Sequence, residues 1–344
     1  MIPRSICVRT PGKLILSGEH AVVHGNPAIG IAVNRYMDVT LTRYPFLKLS
    51  FNLMSIDFQR QFTLGALRKL KSKINKHYKA FSDGKKRISD VLEHPFELAL
   101  FTAINVIDSF KQHLPNGLDI ATHSTIPVGC GMGSSAASVV SLIHALSKIL
   151  NMDLPLERYI ELGIESENLQ HGRSSGFDIH ITHQGGCLYF DGDRYDALDF
   201  PTHWPIHLIH TGKPSTGTGE TVAHAKPFIT QERLQAFARV TNTLRSAITN
   251  NNLESAQRAL RENHHLLREI QVVPNHVNHF IEACRDIGLS GKICGAGCHQ
   301  GDHAGMLILL GDANKEALQK LCDEHAFQYL PVQIDERGSH VVSS

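Results

Sequence analysis

The chain has 344 residues, of which 42% are hydrophobic and 19% charged, with a formal net charge of +1. That length exceeds the ~250–300 residues one hydrophobic core organises, so two units with a cleft between them are expected, and the near-neutral balance excludes a globally basic nucleic-acid binder. No run approaches the ~20 apolar residues of a membrane span, and a Pro-Gly break followed by Glu-His interrupts the opening residues too early for a signal-peptide core.

Seven scattered cysteines (Cys7, Cys130, Cys187, Cys284, Cys294, Cys298, Cys322) form no paired CxxC framework and suit reduced thiols, so a cytoplasmic location is expected. The 22 histidines are read as surface or satisfied core imidazoles, because His264-His265 and the pair His180 and His183 have no third ligand at a useful spacing.

From the N-terminus, Ser5–Thr10 and Lys13–Ser17 read as extended runs parted by a Pro11-Gly12 turn, with Ala28–Val33 and Tyr36–Thr42 as further strands. If residues 13–19 are extended, a period of two places Lys13, Ile15, Ser17 and Glu19 on one side and Leu14 and Leu16 on the other. Between Arg68 and Arg87, nine Lys or Arg residues stand against one acid, Asp83; a solvated helix or mobile excursion is the plain reading, and a cationic lid near a polyphosphate the sharper one. Glu97–Lys111 has helical apolar spacing, and Gly117–Ser124 reads as a strand entering a glycine-rich turn.

In that turn Gly129, Gly131 and Gly133 alternate just before a helix that starts at Ser134 or Ser135. Glycines let backbone N–H groups approach an anion, and a helix N-terminus adds unpaired donors and the positive end of its dipole, so this segment is a phosphate cradle. It is neither a Walker loop, since no Lys-Ser or Lys-Thr follows, nor the dinucleotide fingerprint, whose glycine spacing differs. An apolar stripe carries the helix to Asn151, and Asp153 is expected to cap the next one, with Pro155 in its first turn and its end near Gln170. On that helix Glu167 shares the face of Ile160 and Ile164, where a buried carboxylate needs a partner such as a divalent cation. Asp178 falls just inside a short helical stretch after a serine-rich turn. A composition change near Pro201–Pro205 puts a boundary near residue 203. Beyond it come a strand at Ile206–His210, helices around 230–250, 253–270 and 274–287, and strands at Gly291–Cys294, Met306–Leu310 and near Gln328–Ile334. The glycines of Lys292–Gly297 alone signal only a turn.

Taken in order, residues 11–25, 127–137 and 292–297 resemble the three motifs of the GHMP kinase superfamily. Within it, the run from Gly18-Glu19-His20 to His24-Gly25, and Glu167 followed eleven residues later by Asp178, are most similar to the mevalonate kinases. The resemblance implies an α+β fold of two domains, ribosomal-protein-S5-like over 1–203 and ferredoxin-like over 204–344, with ATP and mevalonate meeting between them. It implies that Asp178 accepts the proton of the C5 hydroxyl while Lys13 stabilises developing negative charge. Pro127, Gly129, Gly131, Met132, Gly133, Ser134, Ser135 and Ala136 would cradle the nucleotide, and Ser135 and Glu167 would hold Mg²⁺. Lys13, Glu19, His20, Asp178 and Thr216, with Ser215 as the alternative to the last, would contact the substrate. A homodimer is a family-level expectation; nucleic acid and membrane are not expected partners. The third motif departs from the pattern, because Cys298–Gly305 is longer and more polar than the family's further glycines. Two other readings stay open: a related kinase acting on phosphomevalonate or another alcohol, and a non-catalytic nucleotide-binding regulator, which would be favoured by loss of Lys13, Glu167 or Asp178.

Overall fold

In the computed structural model, residues 4–109, 114, 116–192 and 194–343 are described. The first half of the chain runs β1 (Ser5–Ser17), β2 (Ala28–Tyr44), β3 (Leu49–Leu53), β4 (Phe58–Phe62), α1 (Leu64–Ser82), α2 (Glu97–Ser109), β5 (Gly117–Ser124), α3 (Ser134–Ile149), α4 (Leu156–His171), α5 (Phe177–Gln184), β6 (Cys187–Asp191) and β7 (Arg194–Leu198). The second half adds β8 (Ile206–His210), α6 (Thr218–Ala225), α7 (Gln231–Thr249), α8 (Leu253–Glu269), α9 (Asn275–Asp286), β9 (Ser290–Ile293), β10 (Met306–Leu310), α10 (Lys315–Glu324), β11 (Gln328–Leu330) and β12 (His340–Ser343).

Among the described residues one sheet has the order β12-β1-β2-β5-β3-β4, with β6 on β2 and β7 on β6, and a four-stranded sheet has the order β11-β8-β10-β9. Residue 203 lies in the connection between β7 and β8, and the end of the chain returns: Cys7 of β1 pairs Ser343 of β12, and Tyr36 Oη donates to Asp335 Oδ2 at 2.8 Å. No helix among the described residues is long and apolar enough to cross a membrane.

Local expectations meet the structure unevenly at the first strand. Pro11-Gly12 is not a turn, because β1 continues through it with a slip of register against β2, the bulge that lets a proline sit in a paired strand. Gly12 packs closely there, since a Cβ would lie 3.0 Å from the Met132 carbonyl oxygen, which would have to give slightly. Likewise the two strands expected between residues 28 and 42 are one, β2. Alternation holds along Lys13–Ser17: Leu14 and Leu16 enter the main core, while Ile15 joins a smaller cluster with Phe177, Ile181 and Phe190. It stops at Gly18, whose φ of +95° turns the chain so that Glu19 and His20 fold inward instead of extending the strand.

The basic segment is helical. Thr63 caps α1 by accepting from the Ala66 N–H, and Leu67 and Ile74 are buried against α2. Its outer cations are partly paired, Arg68 and Lys71 with Asp108 and Lys73 with Glu93. The α2 helix is described to Ser109, and residues 110–111 of the expected helix lie outside the described residues. Asp153 does not cap α4: Pro155 occupies the N-cap position, its fixed φ of −62° leading into the helix at Leu156.

Candidate active site

The glycine turn is gripped from two sides. The Lys13 N–H donates to the Met132 carbonyl at 2.9 Å from β1, and the Met306 N–H donates to the Cys130 carbonyl at 3.0 Å from β10. All three glycines have positive φ, and a Cβ on Gly131 would meet the Cys294 carbonyl oxygen at 2.4 Å, so the central and third motifs touch backbone to backbone. A Cβ on Gly133 would fall 2.7 Å from Lys13 Cγ, which places the Lys13 side chain directly against the loop. Gly133 is the N-cap of α3 and no side chain caps that end, so the first N–H groups of the helix stay available. Ser134, Ser135 and Ser138 line a cavity of about 390 Å³ whose other walls include Met37, Leu53, Ile56, Leu92, Pro95 and Leu98. Ala136 is buried beneath the turn, Pro127 is half-buried, and Val128 and Gly129 are exposed at its rim.

Lys13 and Asp178 meet: Nζ lies 2.9 Å from Oδ2, the lysine side chain 5% exposed and the aspartate 29%. The short turn before Asp178 is built by its own side chains. Asn168 Oδ1 accepts from the Ser174 N–H at 2.6 Å, Ser174 Oγ from the Gly176 N–H at 3.1 Å, and Gly176, with φ +78°, starts α5. Glu167 is buried as its place beside Ile160 on α4 requires; Oε2 faces His171 Nε2 at 3.4 Å, and Oε1 has no partner among the described residues. Burial pulls the His171 imidazole down, but the hydrogen bond and charge of Glu167, with Asp178 behind them, carry it above its ordinary value. A buried carboxylate oxygen with no partner among the described residues is the kind of hard donor a divalent cation takes, so Glu167 fits Mg²⁺.

Glu19 and His20 reach the second sheet. Lys292, fully buried on β9, donates to Glu19 Oε1, and His20 Nε2 lies 3.0 Å from the Ala296 carbonyl oxygen, to which it donates. Burial raises the Glu19 carboxyl against the attraction of Lys292, and it pushes His20 down to about 4, which leaves a neutral ring at physiological pH whose Nδ1 is an acceptor without a partner among the described residues. Thr216 is buried, and its hydroxyl lies 2.9 Å from Thr221 Oγ1 and 3.0 Å from Cys298 Sγ. Ser215 donates to the Gln300 carbonyl at 2.8 Å, so the β8–α6 connection holds the polar third-motif loop. Burial would raise the Cys298 thiol, but the Ser215 and Thr216 hydroxyls and nearby backbone bring it to about 7.

The structure thus brings Lys13 against both Gly133 and Asp178, pairs Glu19 with Lys292, sets His20 on the Ala296 carbonyl, and joins Thr216 to Cys298 of the same third-motif loop. Sequence reasoning missed His171 and the side chain of Lys292. A histidine four residues after Glu167 on one helix was a usable signal; nothing local pointed from Lys292 to Glu19.

A family model described as GHMP kinases N terminal domain matches residues 100–186. The mevalonate kinase of Pyrococcus abyssi is 30% identical to this chain over 323 residues, covering 86% of this chain and 87% of that protein. The mevalonate kinase of Pyrococcus furiosus is 29% identical over 318 residues, covering 85% and 86%. Among solved structures, the Methanococcus jannaschii mevalonate kinase shares the fold with a TM-score of 0.79 at 22% identity, covering 97% of this chain and 100% of that one.

Proposed function

We propose, from the premise that this chain belongs to the mevalonate kinase family of the GHMP kinases, that it transfers the γ-phosphoryl group of ATP to the C5 hydroxyl of mevalonate. The observation that carries this is the 2.9 Å contact of Lys13 with Asp178 beside Gly133, an acid and a cation held at the edge of a phosphate cradle.

In this reading the N–H groups of the 129–136 turn and the open end of α3 hold the phosphates, and the cavity beside Ser135 and Ser138 takes the nucleoside. Ser135 and Glu167 would hold Mg²⁺, which when bound would neutralise charge on the phosphates. Asp178 Oδ accepts the proton as the acceptor hydroxyl attacks, and Lys13 stabilises the charge that develops on the transferred group. Glu19 and His20 shape the acceptor end, where the Nδ1 of His20 suits a hydroxyl donor. Thr216 acts on the substrate side through the loop it shares with Cys298. The same reading puts the enzyme in the cytoplasm and allows a homodimer.

The test is ADP release by the purified protein with ATP and Mg²⁺, comparing mevalonate, phosphomevalonate, homoserine and galactose. Turnover of mevalonate alone, reduced about 10²–10⁴-fold by Asp178→Asn with ATP binding retained, is expected. Preference for another alcohol overturns the substrate, and an active Asp178→Asn overturns the base.

A further inference from the structure

We propose that His171 is a positioning residue of the cation site: its imidazole holds Glu167 Oε2 and so commits Oε1 to the metal. This rests on the reading of Glu167 as a metal ligand. The Glu167 side chain is 2% exposed, so water does not organise it, and Oε1 is without a partner among the described residues while Oε2 lies 3.4 Å from His171 Nε2. The terminal torsion of a glutamate is broad and two-fold, and a carboxylate with neither oxygen engaged has no fixed orientation. The close contact with His171, one turn further along the same helix, restricts that freedom.

The turn that follows His171 is itself braced, by α1. His171 is the last residue of α4, and Gly172 follows with φ +82°. Tyr78 of α1 donates its hydroxyl to the Gly172 carbonyl at 2.8 Å, and the Phe81 ring lies 2.8 Å from where a Gly172 Cβ would be. The lysine-rich helix therefore acts on the site with its inner, aromatic face: Tyr78 and Phe81 brace the turn that carries His171. Partners of this kind orient metal-ligating carboxylates, and losing one weakens metal affinity ~10–100-fold.

The experiment measures Mn²⁺ binding by electron paramagnetic resonance, with the protein saturated by a non-hydrolysable ATP analogue, alongside the Mg²⁺ dependence of turnover. His171→Ala should weaken Mn²⁺ binding about 10–100-fold, with an unchanged KM for mevalonate and most of kcat recovered at high Mg²⁺. His171→Gln, which keeps a donor, should recover part of the affinity. Tyr78→Phe, which leaves His171 in place and only loosens its turn, should shift it in the same direction by less. Wild-type Mn²⁺ affinity in His171→Ala, together with weakened binding in Glu167→Gln, overturns the role of His171 alone. Wild-type affinity in Glu167→Gln overturns the reading of Glu167 as a ligand, and the proposal with it.

Discussion

Lys292 has three donors and uses them all: Glu19 Oε1, the Ile15 carbonyl at 3.1 Å and the Ile293 carbonyl at 2.6 Å. Both charges of the pair are buried, and taking two ions out of water costs several kcal/mol each, which their attraction offsets only while both are present. Lys292→Met should therefore destabilise the protein by about 3–5 kcal/mol, read as a lower urea midpoint, and the double variant with Glu19→Gln should recover part of that loss. Equal instability of the single and double variants would mean that the Met side chain, not the orphaned carboxylate, does the damage. The two residues are 273 apart in the chain, and each looked like a motif letter with its own local purpose. Lys13 and Asp178, by contrast, were singled out through the resemblance to the GHMP kinases, and only the fold brought them to 2.9 Å.

The strand–turn–helix unit around residues 117–149 is the element most legible in the chain. Alternate glycines before a broad apolar stripe announce a turn that approaches something closely and a helix buried along one side, and β5 and α3 begin where that pattern puts them. Which glycine matters most was not legible, because it depends on what leans against each. Among the described residues, Gly129 at φ +74° has only the Lys213 Cε within reach, 3.7 Å from where a Cβ would lie, whereas at Gly131 the obstacle is the Cys294 backbone. Gly129→Ala should cost about 1–2 kcal/mol, the strain of an L residue in the left-handed region. Gly131→Ala should cost more and also weaken ATP binding, since one of two backbones must move; calorimetric melting and nucleotide titration of the pair check this ordering. A similar lesson comes from β1, where Pro11-Gly12 looks like a turn locally and is a bulge because β2 is long enough to pair across it.

At the scale of the molecule, burial holds four imidazoles neutral: His20, His144, His180 and His264 are each pushed down to about 4 from 6.5. Between those values the unfolded chain binds protons that the folded chain refuses, so their contribution to stability is full above about pH 6.5 and is lost as the pH falls toward 4. Each group steepens the decline by up to about 1.4 kcal/mol per pH unit, and the urea midpoint should drop sharply over that window. His180→Phe, which keeps a ring stacked on Tyr195 at 3.5 Å but removes the titrating nitrogen, should flatten the curve. An unchanged slope would show that His180 is not held neutral. The sequence by itself determined the motifs, the helical stripes and the α+β character, because periodicity and backbone freedom are properties of residues close together in the chain. Only the tertiary structure decided that Lys292 answers Glu19, that Tyr78 braces the turn after His171, that Thr216 joins Cys298, and that β12 returns to β1. Those contacts join distant segments, and their free energy exists only once both partners are buried together in one geometry.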